Sequence, residues 1–374
     1  SYGNAGLIVP SHSMPLASPG IVGQGLRWLL NQDSPFYIKP SLDPALWAWL
    51  LRFRSAANKR QARQAVFLLR NLLLASRHLY DKWANLDGMN CDYSQNGCLY
   101  VFRTKTGLHE AREEAQLLKE AGISSNLLDE QAARTVCPYL RSGTVGAIQY
   151  PEDAQLNPHH FVTGLAHQAE SAGATFLEQT EAIGFTTSRK RIASVKTTRG
   201  DFSPTQIVVA TGVWAPSVAN DLKLKIPIQP AKGYSLTLKR PESFPNIPLM
   251  LWDARMAVTP MGSLLRLAGT LEMSGMDFSI NRRRLSALRR NASKYIEGID
   301  DLHVEEIWRG LRPCTPDGLP IIGRPPDWEN LVLAAGHATI GVALGPITGD
   351  IVARMVCGED SLFDLHLLRY ERFN

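Results

Sequence analysis

The last quarter of the chain contains two motifs that constrain the fold more than any other feature of its 374 residues. The first, Trp-Arg-Gly-Leu-Arg-Pro-Cys-Thr-Pro-Asp-Gly-Leu-Pro-Ile-Ile-Gly-Arg over 308–324, places Arg312 beside a rigid turn rich in proline and glycine. The second, Ala-Gly-His-Ala-Thr-Ile-Gly-Val-Ala-Leu-Gly-Pro-Ile-Thr-Gly over 335–349, leads directly into an apolar helix predicted from Val342 to Val356. A loop of small residues that opens a helix presents backbone N–H groups where a ligand can approach closely.

A third motif lies in the middle of the chain. Thr-Gln-Ile-Val-Val-Ala-Thr-Gly over 205–212 predicts a buried strand, because it is rich in β-branched residues, and it ends in Ala210, Thr211 and Gly212. Glycine at such a strand end allows close backbone approach. On its own this motif is weak, but beside the other two it indicates a dinucleotide-binding fold.

Together the three motifs resemble the FAD-dependent amino-acid oxidoreductases of the D-amino acid oxidase superfamily, and within it the D-amino acid dehydrogenases of the small-subunit type. The resemblance implies an α/β plus α+β fold, in which a Rossmann-like FAD-binding domain carries an inserted mixed-sheet substrate-binding domain. The implied division assigns 1–95, 151–222 and 313–374 to the FAD-binding domain, and 96–150 and 223–312 to the substrate-binding domain.

The beginning of the chain, Ser-Tyr-Gly-Asn-Ala-Gly-Leu-Ile-Val-Pro over 1–10, resembles the family segment that follows the second strand of the dinucleotide-binding unit. The strand–GxGxxG–helix–strand of about 30 residues that should come before it is absent from the sequence as given. Gly20–Gly25 is the nearest substitute, but its glycine spacing is wrong and Pro19 precedes it, so we predict a loop there. We therefore expect that upstream residues or a partner chain complete the sheet, and that this segment alone is not an autonomous flavoenzyme.

Arg312 is the first candidate for catalysis. In the family that the chain resembles, the arginine of the Gly-Leu-Arg-Pro motif receives the substrate carboxylate, and a guanidinium suits this task because its rigid fork makes two parallel hydrogen bonds to a carboxylate. The alternative is a structural ion pair with a carboxylate such as Asp317. We favour the first interpretation, because Arg309 and Arg324 are available for the structural role.

The resemblance also implies a set of flavin-binding residues. Backbone amides at the start of the C-terminal helix would stabilise negative charge that develops on the flavin, His337 could add a donor, and Ala182 should contact the adenine. Thr339 and Ile340 replace polar residues that some relatives use for a second carboxylate contact. The expected cofactor contacts are Asn4, Ala5, Gly6, Leu7, Ala182, Ala210, Thr211, Gly212, Gly336, His337, Thr339, Ile340, Gly341 and Val342.

Two further segments concern the substrate. Tyr234, in Lys-Gly-Tyr-Ser-Leu-Thr over 232–237, corresponds to a family segment near the substrate and is the second catalytic candidate. Relatives often carry a lid tyrosine within 251–257, but this chain reads Leu-Trp-Asp-Ala-Arg-Met-Ala there. We expect Trp252 or Met256 to shape the pocket instead.

Composition excludes several classes of protein. No apolar stretch reaches the roughly 18 residues of a membrane span, and the net charge of +5 is too mild and scattered to indicate nucleic-acid binding. The five cysteines form no CxxC pair, so no disulfide framework or metal site is predicted, and a reduced, cytoplasmic compartment is the natural interpretation. Residues 44–86 predict amphipathic helices packed on the core, with a basic, tryptophan-bearing membrane-surface helix as the alternative.

Other elements are predicted from periodicity and caps. We expect a strand at Gly97–Arg103, helices at Leu108–Ala121 and Asn281–Ile296, and a helix after the cap Asn157. Three strands should follow that helix, at Ala174–Gln179, Ala182–Thr187 and Ile192–Thr198.

The predicted function is FAD-dependent oxidative deamination of a D-amino acid, with electrons passed to a quinone or another carrier. The D configuration and the carrier come from the resemblance. D-proline or D-hydroxyproline dehydrogenation and glycine or sarcosine oxidation remain alternatives, and so does a non-catalytic or incomplete subunit that binds no flavin alone. Expected partners are the amino acid, the electron carrier, and the inner face of the cytoplasmic membrane or a second subunit, but not nucleic acid.

Overall fold

The computed structural model of the protein describes residues 2–29 and 34–373. The helices are α1 (Ile21–Leu29), α2 (Pro44–Ala56), α3 (Lys59–Trp83), α4 (Lys105–Glu120), α5 (Glu130–Val136), α6 (Pro158–Ser171), α7 (Ala215–Asn220), α8 (Arg282–Ser293) and α9 (Gly341–Cys357). The strands are β1 (Leu7–Ile8), β2 (Phe36–Ile38), β3 (Cys98–Phe102), β4 (Asn126–Leu128), β5 (Gly146–Tyr150), β6 (Ala154–Gln155), β7 (Ala182–Ser188), β8 (Arg191–Thr197), β9 (Gly200–Phe202), β10 (Ile207–Val209), β11 (Gln229–Lys239), β12 (Leu249–Leu251), β13 (Met256–Met261), β14 (Leu264–Met273), β15 (Val304–Cys314), β16 (Ile321–Gly323) and β17 (Leu331–Ala335).

The largest layer is a nine-stranded mixed sheet, in which eight strands follow the order β15-β11-β14-β13-β12-β3-β5-β4 and β2 pairs with β14. One row of directly paired residues crosses six of these strands, from Trp308 through Ser235, Ala268, Ala257 and Met250 to Tyr100. Paired residues point to the same face of a sheet. The row therefore forms one surface with small side chains at its centre, which we call the small-residue floor (Ala257, Ala268 and the neighbouring Gly269).

A second sheet has three strands in the order β10-β17-β16. Strands β10 and β17 are parallel, and Ile207 pairs with Leu331. The carboxyl ends of parallel strands lie at the same edge of a sheet. The loops that follow β10 and β17 therefore leave the sheet side by side.

The helices predicted for 44–86 are present as α2 and α3. The side chain of Asp43 accepts a hydrogen bond at the start of α2, and the side chain of Asn58 does so at the start of α3. The long helix α3 packs against α9 through a shared apolar cluster that includes Leu69, Leu73, Leu344 and Ile347. Asn157 caps α6 and Pro158 is its first residue, as predicted.

Several local predictions were wrong. Gly20–Gly25, predicted as a loop, lies mostly within α1, where Gly23 and Gly25 form part of a helix. Residues 174–179 form no strand, and the third strand of the β7-β8-β9 sheet is Gly200–Phe202. The expected helix at 108–121 begins at Lys105, because Thr104 accepts a cap hydrogen bond from Gly107 N.

The helix after Asn281 ends at Ser293 and not at Ile296, since Tyr295 and Ile296 turn back into the core. Strand β2 belongs by sequence to 1–95 but pairs with β14 of the large sheet. The division into domains stays a prediction.

Candidate active site

Two of the predicted cofactor segments lie together at the carboxyl edge of the β10-β17-β16 sheet. Strand β10 continues into Ala210, Thr211 and Gly212, and β17 continues into the loop that opens α9. Gly212 adopts a φ of +56°, and a side chain there would meet nothing within 4 Å. Ligands of doubly wound folds bind at this edge. The glycine is needed for the backbone conformation, and the space in front of it is open.

The amino end of α9 lies at the same edge. Its N-cap residue, Ile340, makes no side-chain cap hydrogen bond, and the first helical residues, Gly341 and Val342, line the cavity described below. The first N–H groups of a helix have no partner within the helix, and the helix dipole adds partial positive charge there. This end of α9 is therefore suited to a negatively charged group.

A proline inside α9 is accommodated by α3. Pro346 has no N–H to donate to the carbonyl of Val342 four residues earlier. The hydroxyl of Tyr80, on α3, donates to that carbonyl at 2.5 Å. Tyr80 is almost fully buried, so the pair fixes the first turns of α9 against α3.

One cavity of about 3310 Å³ connects these segments with the face of the large sheet. Its volume is several times the roughly 300–1,000 Å³ of a site for a small ligand, so it has room for a dinucleotide and a substrate together. Of the fourteen predicted cofactor residues, twelve line it: Asn4, Ala5, Leu7, Ala182, Ala210, Thr211, Gly212, His337, Thr339, Ile340, Gly341 and Val342. Their direct contact with a cofactor stays a prediction.

The other two predicted residues, Gly6 and Gly336, are needed for packing. Both have a positive φ. A Cβ atom on Gly6 would lie 2.1 Å from the carbonyl oxygen of Leu156, and one on Gly336 would lie 2.6 Å from Cγ2 of Thr315. These glycines let the lining segments lie close to their neighbours.

The N-terminal segment is fastened to the large sheet by Arg266, a buried residue of β14. Its Nη1 donates to the carbonyls of Tyr2 and Asn4, both at 3.1 Å, and its Nη2 lies 3.5 Å from a carboxylate oxygen of Glu306. The ring of Trp308 lies where a Cβ atom of Gly3 would be. Residues 2–4 are therefore held against the large sheet and form no helix.

Arg312 projects from β15 into the cavity over the backbone of Gly233. A Cβ atom at that glycine would lie 1.7 Å from Nη1 of Arg312, so any larger residue would displace the guanidinium. Nη1 donates to the carbonyl of Thr270 at 2.9 Å. Within the described ranges no carboxylate forms an ion pair with Arg312. Burial lowers the pKa of this guanidinium, which nevertheless stays charged.

The structural alternative for Arg312 was wrong. Asp317 forms its ion pair with Arg372 at 2.7 Å. Arg309 donates to the carbonyl of Phe278, at the surface, and Arg324 donates to the carbonyl of Met355 at 2.7 Å. Arg312 therefore keeps donors directed to the cavity.

Tyr234 is placed differently from Arg312. Gly233 faces the arginine, and side chains alternate along a strand, so the ring of Tyr234 points to the other face of the sheet. There its hydroxyl lies 3.5 Å from Oε2 of Glu272 and accepts a hydrogen bond from Asn281 N at 3.2 Å. Tyr234 also contributes to the cavity lining, and its predicted catalytic role stays a prediction.

The stretch that replaces the family's lid tyrosine contains Trp252 and Arg255. Both line the cavity, whereas Met256 is buried in the core beneath the sheet. The Cζ atom of Arg255 lies 4.2 Å from the ring centre of Trp252. Of the two residues expected to shape the pocket, Trp252 lines it and Met256 does not, because Met256 faces the side of β13 opposite to Ala257, which lines the cavity.

Two histidines in the cavity wall are neutral. Burial lowers the pKa of His337 to about 4, and its Nε2 lies 3.0 Å from Oγ1 of Thr348. Burial, and then repulsion from Arg255, lowers the pKa of His12 to about 4. Neither adds positive charge near neutral pH.

A buried hydrogen-bonded chain supports the cavity wall at Tyr100. The hydroxyl of Ser11 donates to Oδ2 of Asp153 at 2.6 Å and lies 3.1 Å from the hydroxyl of Tyr100. Burial raises the pKa of Asp153 to about 7, although hydrogen bonds from Ser11 oppose the shift. These three residues, like Arg255 and Gly233, carry no sequence signal of their own, because only the sheet register brings them to the site.

Comparison with known proteins agrees with this arrangement. Residues 1–355 match the family described as FAD dependent oxidoreductase (DAO). The chain is 33% identical over 380 residues to D-amino acid dehydrogenase of Vibrio atlanticus, covering 99% of this chain and 90% of that protein. Glycine oxidase from Geobacillus kaustophilus superposes with a TM-score of 0.77 at 25% identity, over 81% of this chain and 83% of that one. L-proline dehydrogenase from P. horikoshii superposes with a TM-score of 0.76 at 23% identity, over 82% and 83%.

The chain belongs to the DAO family of FAD-dependent oxidoreductases, which confirms the resemblance seen in the sequence. The residues fit this cofactor, since an uncapped helix end, an open glycine and a cavity of dinucleotide size lie together. Among the residues that the structure describes, no helix is long and apolar enough to cross a bilayer.

Proposed function

We propose that the chain catalyses oxidative deamination of a D-amino acid, in which Cα loses a hydride and the imino acid product hydrolyses in water. The observation that carries the proposal is Arg312, whose guanidinium enters the cavity without a carboxylate partner in the described part of the chain. The D configuration is supported by relatives named D-amino acid dehydrogenase, at 33% and 31% identity over 99% and 100% of this chain.

The chain's own residues bind and orient. Asn4, Ala5 and Leu7 on one wall, with Ala210–Gly212 and the start of α9 on another, would hold FAD, which when bound accepts the hydride. The uncapped end of α9 stabilises negative charge beside it. Ala210–Gly212 and the start of α9 would need no charged side chain to bind FAD, because their backbone N–H groups supply the donors.

Substrate orientation falls to Arg312. Two parallel hydrogen bonds to the α-carboxylate fix the position and the plane of that group, and Gly233 keeps the arginine side chain flat against β11. The ammonium group of the amino acid first loses a proton to water, and the amino acid then reacts as the neutral amine. No general base among the described residues is assigned to this step.

Anaerobic mixing of the flavin-loaded protein with single amino acids tests the proposal. D-alanine should bleach the flavin absorbance and L-alanine should not. D-proline, D-hydroxyproline, glycine and sarcosine in the same panel distinguish the two alternatives within the family. Bleaching by L-amino acids alone would contradict the proposed configuration.

For the electron acceptor we propose a quinone reached from a membrane surface. Leu42, Trp47 and Leu51 are all more than half exposed and line the mouth of the cavity. Exposed Arg52 and Arg54 lie beside them on α2. Anionic lipid attracts basic residues with about 1 kcal/mol each, and apolar side chains at the mouth suit entry of a lipid-soluble acceptor.

Co-sedimentation with liposomes tests this second part. Anionic vesicles should retain the protein, neutral vesicles should retain less, and Trp47→Ala with Leu51→Ala should weaken retention by about tenfold. Rapid peroxide formation without vesicle binding would favour an oxidase that uses oxygen directly.

The alternative from another class is a subunit that binds no flavin alone. Two observations favour it. In the described residues β10 pairs on one side only, with β17. Two apolar residues near this strand, Val208 and Trp214, are 40% and 52% exposed. The colour of the purified protein distinguishes this subunit from the enzyme. A purified protein that stays colourless after FAD addition would support the subunit, and a yellow one would support the enzyme.

A further inference from the structure

A second arginine lines the cavity in a strained turn. Arg255 lies between β12 and β13 with a φ of +49°, and its N–H donates to the carbonyl of Trp252 at 3.1 Å. A residue other than glycine rarely adopts this conformation, and such strain is concentrated at functional sites. The turn folds the guanidinium of Arg255 over the ring of Trp252, 4.2 Å from its centre.

In the described residues the close contact of the Arg255 guanidinium is with the ring of Trp252. Across residues 2–29 and 34–373 it forms no hydrogen bond and has no carboxylate within 4 Å. The nearby Asp253 is already engaged, because Arg103 N donates to it at 2.9 Å and the hydroxyl of Tyr295 donates to it at 3.1 Å. Glu110, Glu113 and Glu114 of α4 also line the cavity, and attraction to Glu114 and Glu110 partly opposes the lowering of the Arg255 pKa by burial.

Glu114 is not a permanent ionic partner for Arg255. Burial raises the pKa of this carboxyl group to about 7, although the positive charge of Arg255 opposes the shift. His12, which also lies near Arg255, is neutral near pH 7. Arg255 therefore remains a cation stacked on an aromatic ring, with donors available to a ligand.

The sheet register relates Arg255 to Arg312. Arg312 pairs across β15 and β11 with Ala231, and its Nη1 reaches Thr270 of β14. Strand β14 then pairs with β13, where Ala257 lies opposite Ala268 two residues after Arg255. Three interstrand spacings, about 14 Å, separate the strands at the two ends.

The surface between the two arginines is the small-residue floor. Ala257, Ala268 and Gly269 all line the cavity there. An amino acid whose α-carboxylate binds Arg312 would extend its side chain across this floor. A five-carbon diacid separates its carboxylate carbons by roughly 5 Å, and Arg312 covers part of the distance between the two arginines because its Nη1 reaches β14.

We propose that Arg255, stacked on Trp252, binds a carboxylate at the end of the substrate side chain, so that the preferred substrates are acidic D-amino acids of the D-glutamate type. This inference rests on the proposed function. Arg312 fixes the α-carboxylate, Arg255 selects the distal one, and the two alanines leave room for the methylene groups. A protonated Glu114 can donate a further hydrogen bond to the distal carboxylate.

The test compares D-glutamate with its neutral isostere D-glutamine. Wild-type protein should have the higher kcat/KM for D-glutamate, and Arg255→Gln should lower that preference by about tenfold to a hundredfold, as expected for a charge-assisted hydrogen bond. Arg112→Gln is the matched control, since Arg112 is exposed on the outer side of α4. An unchanged preference in Arg255→Gln would overturn the proposal, and so would a wild-type preference for D-lysine or D-arginine, which would assign this part of the cavity to Glu110 and Glu114.

A binding measurement separates this inference from the proposed function. Glutarate, which has no amine to oxidise, should bind wild-type protein in a titration calorimeter at least tenfold more tightly than butyrate, and Arg255→Gln should remove the difference. If no D-amino acid is oxidised but glutarate still binds through Arg255, the proposed reaction fails and the dicarboxylate site stands. Equal binding of glutarate and butyrate by wild-type protein would reject the site.

Discussion

The position of Arg312 depends on the absence of a side chain at residue 233, which is a glycine. Gly233 allows the guanidinium to cross β11, and a carbonyl of β14 then holds one of its nitrogens. The remaining donors form a fixed fork at the floor of the cavity. Both the orienting arginine and the residue that makes space for it therefore belong to the predicted substrate site.

Replacing Arg312 should reduce catalysis strongly. Loss of a charged partner for a buried carboxylate costs roughly 2–5 kcal/mol, so Arg312→Ala should lower kcat/KM by roughly thirtyfold to several thousandfold. Arg312→Lys should recover part of this loss, because it restores charge but not the fork. The exposed Arg282→Ala serves as control. Near-normal turnover in Arg312→Ala would remove this residue from the mechanism.

Gly233→Ala should act through Arg312. The added methyl group would overlap Nη1 and Cζ of the arginine, so the fork must move while the rest of the strand keeps its pairing. We expect KM to rise at least tenfold with a change of only a few degrees in Tm. Steady-state kinetics and thermal unfolding check this. An unaltered KM would show that the Arg312 guanidinium can shift without weakening substrate binding.

Among the helices, α9 contributes the predicted cofactor residues Gly341 and Val342. Its amino end lines the cavity, its apolar side packs on α3, and Pro346 interrupts its hydrogen bonding within the second turn. The hydroxyl of Tyr80 replaces the missing donor at Val342. An element that lines the predicted cofactor cavity is thus held in place by a residue more than 260 positions away in the sequence.

Removing that hydroxyl should destabilise the protein. Tyr80→Phe leaves the carbonyl of Val342 without its donor, which costs about 1–3 kcal/mol when the group is buried. In Pro346→Ala a backbone N–H returns at the position that bonds Val342. We therefore expect Tyr80→Phe to cost less in the Pro346→Ala background than in wild type. Denaturant unfolding of the four proteins measures the coupling, and strict additivity would contradict it.

At the scale of the whole molecule, buried titratable groups set the pH dependence of stability. The pKa of Asp153 is raised to about 7, so the folded state binds more protons than the unfolded state between about pH 4 and 7. The contribution of Asp153 to the free energy of unfolding is therefore present at acid pH and is lost as pH rises. The lowered pKa values of His12 and His337 act in the opposite direction, because these groups destabilise the folded state as pH falls below about 6.5.

Asp153→Asn should expose the effect of the histidines. The variant keeps an acceptor for Ser11 but cannot ionise, so it avoids the penalty of about 4 kcal/mol that Asp153 imposes near neutral pH. Relative to wild type it should therefore gain stability as pH rises from 5 to 7.5, by about 3 kcal/mol. The exposed Asp201→Asn is the control. Parallel stability curves for Asp153→Asn and wild type would contradict the raised pKa.

Local signals in the sequence predicted much of the fold. Asn157 before Pro158 located α6, alternating and β-branched runs located β3 and β10, and the family motifs identified the cofactor class. These signals succeed because caps and periodicity act over a few residues. They failed at Gly20–Gly25, where a glycine-rich segment forms α1 despite its propensity, and at 174–179, where an apolar run has no strand to pair with.

The sequence by itself determined the family and the FAD dependence and predicted Arg312 as the substrate-binding residue, because each rests on a contiguous motif. Only the tertiary structure decided which residues meet that arginine. Gly233 lies beside it, Tyr234 faces away from it, and Arg255 lies across the floor from it, and all three follow from the pairing of β11, β13, β14 and β15. Strand register is set by packing between segments far apart in the chain, and a shift of one residue would turn every one of these side chains to the other face.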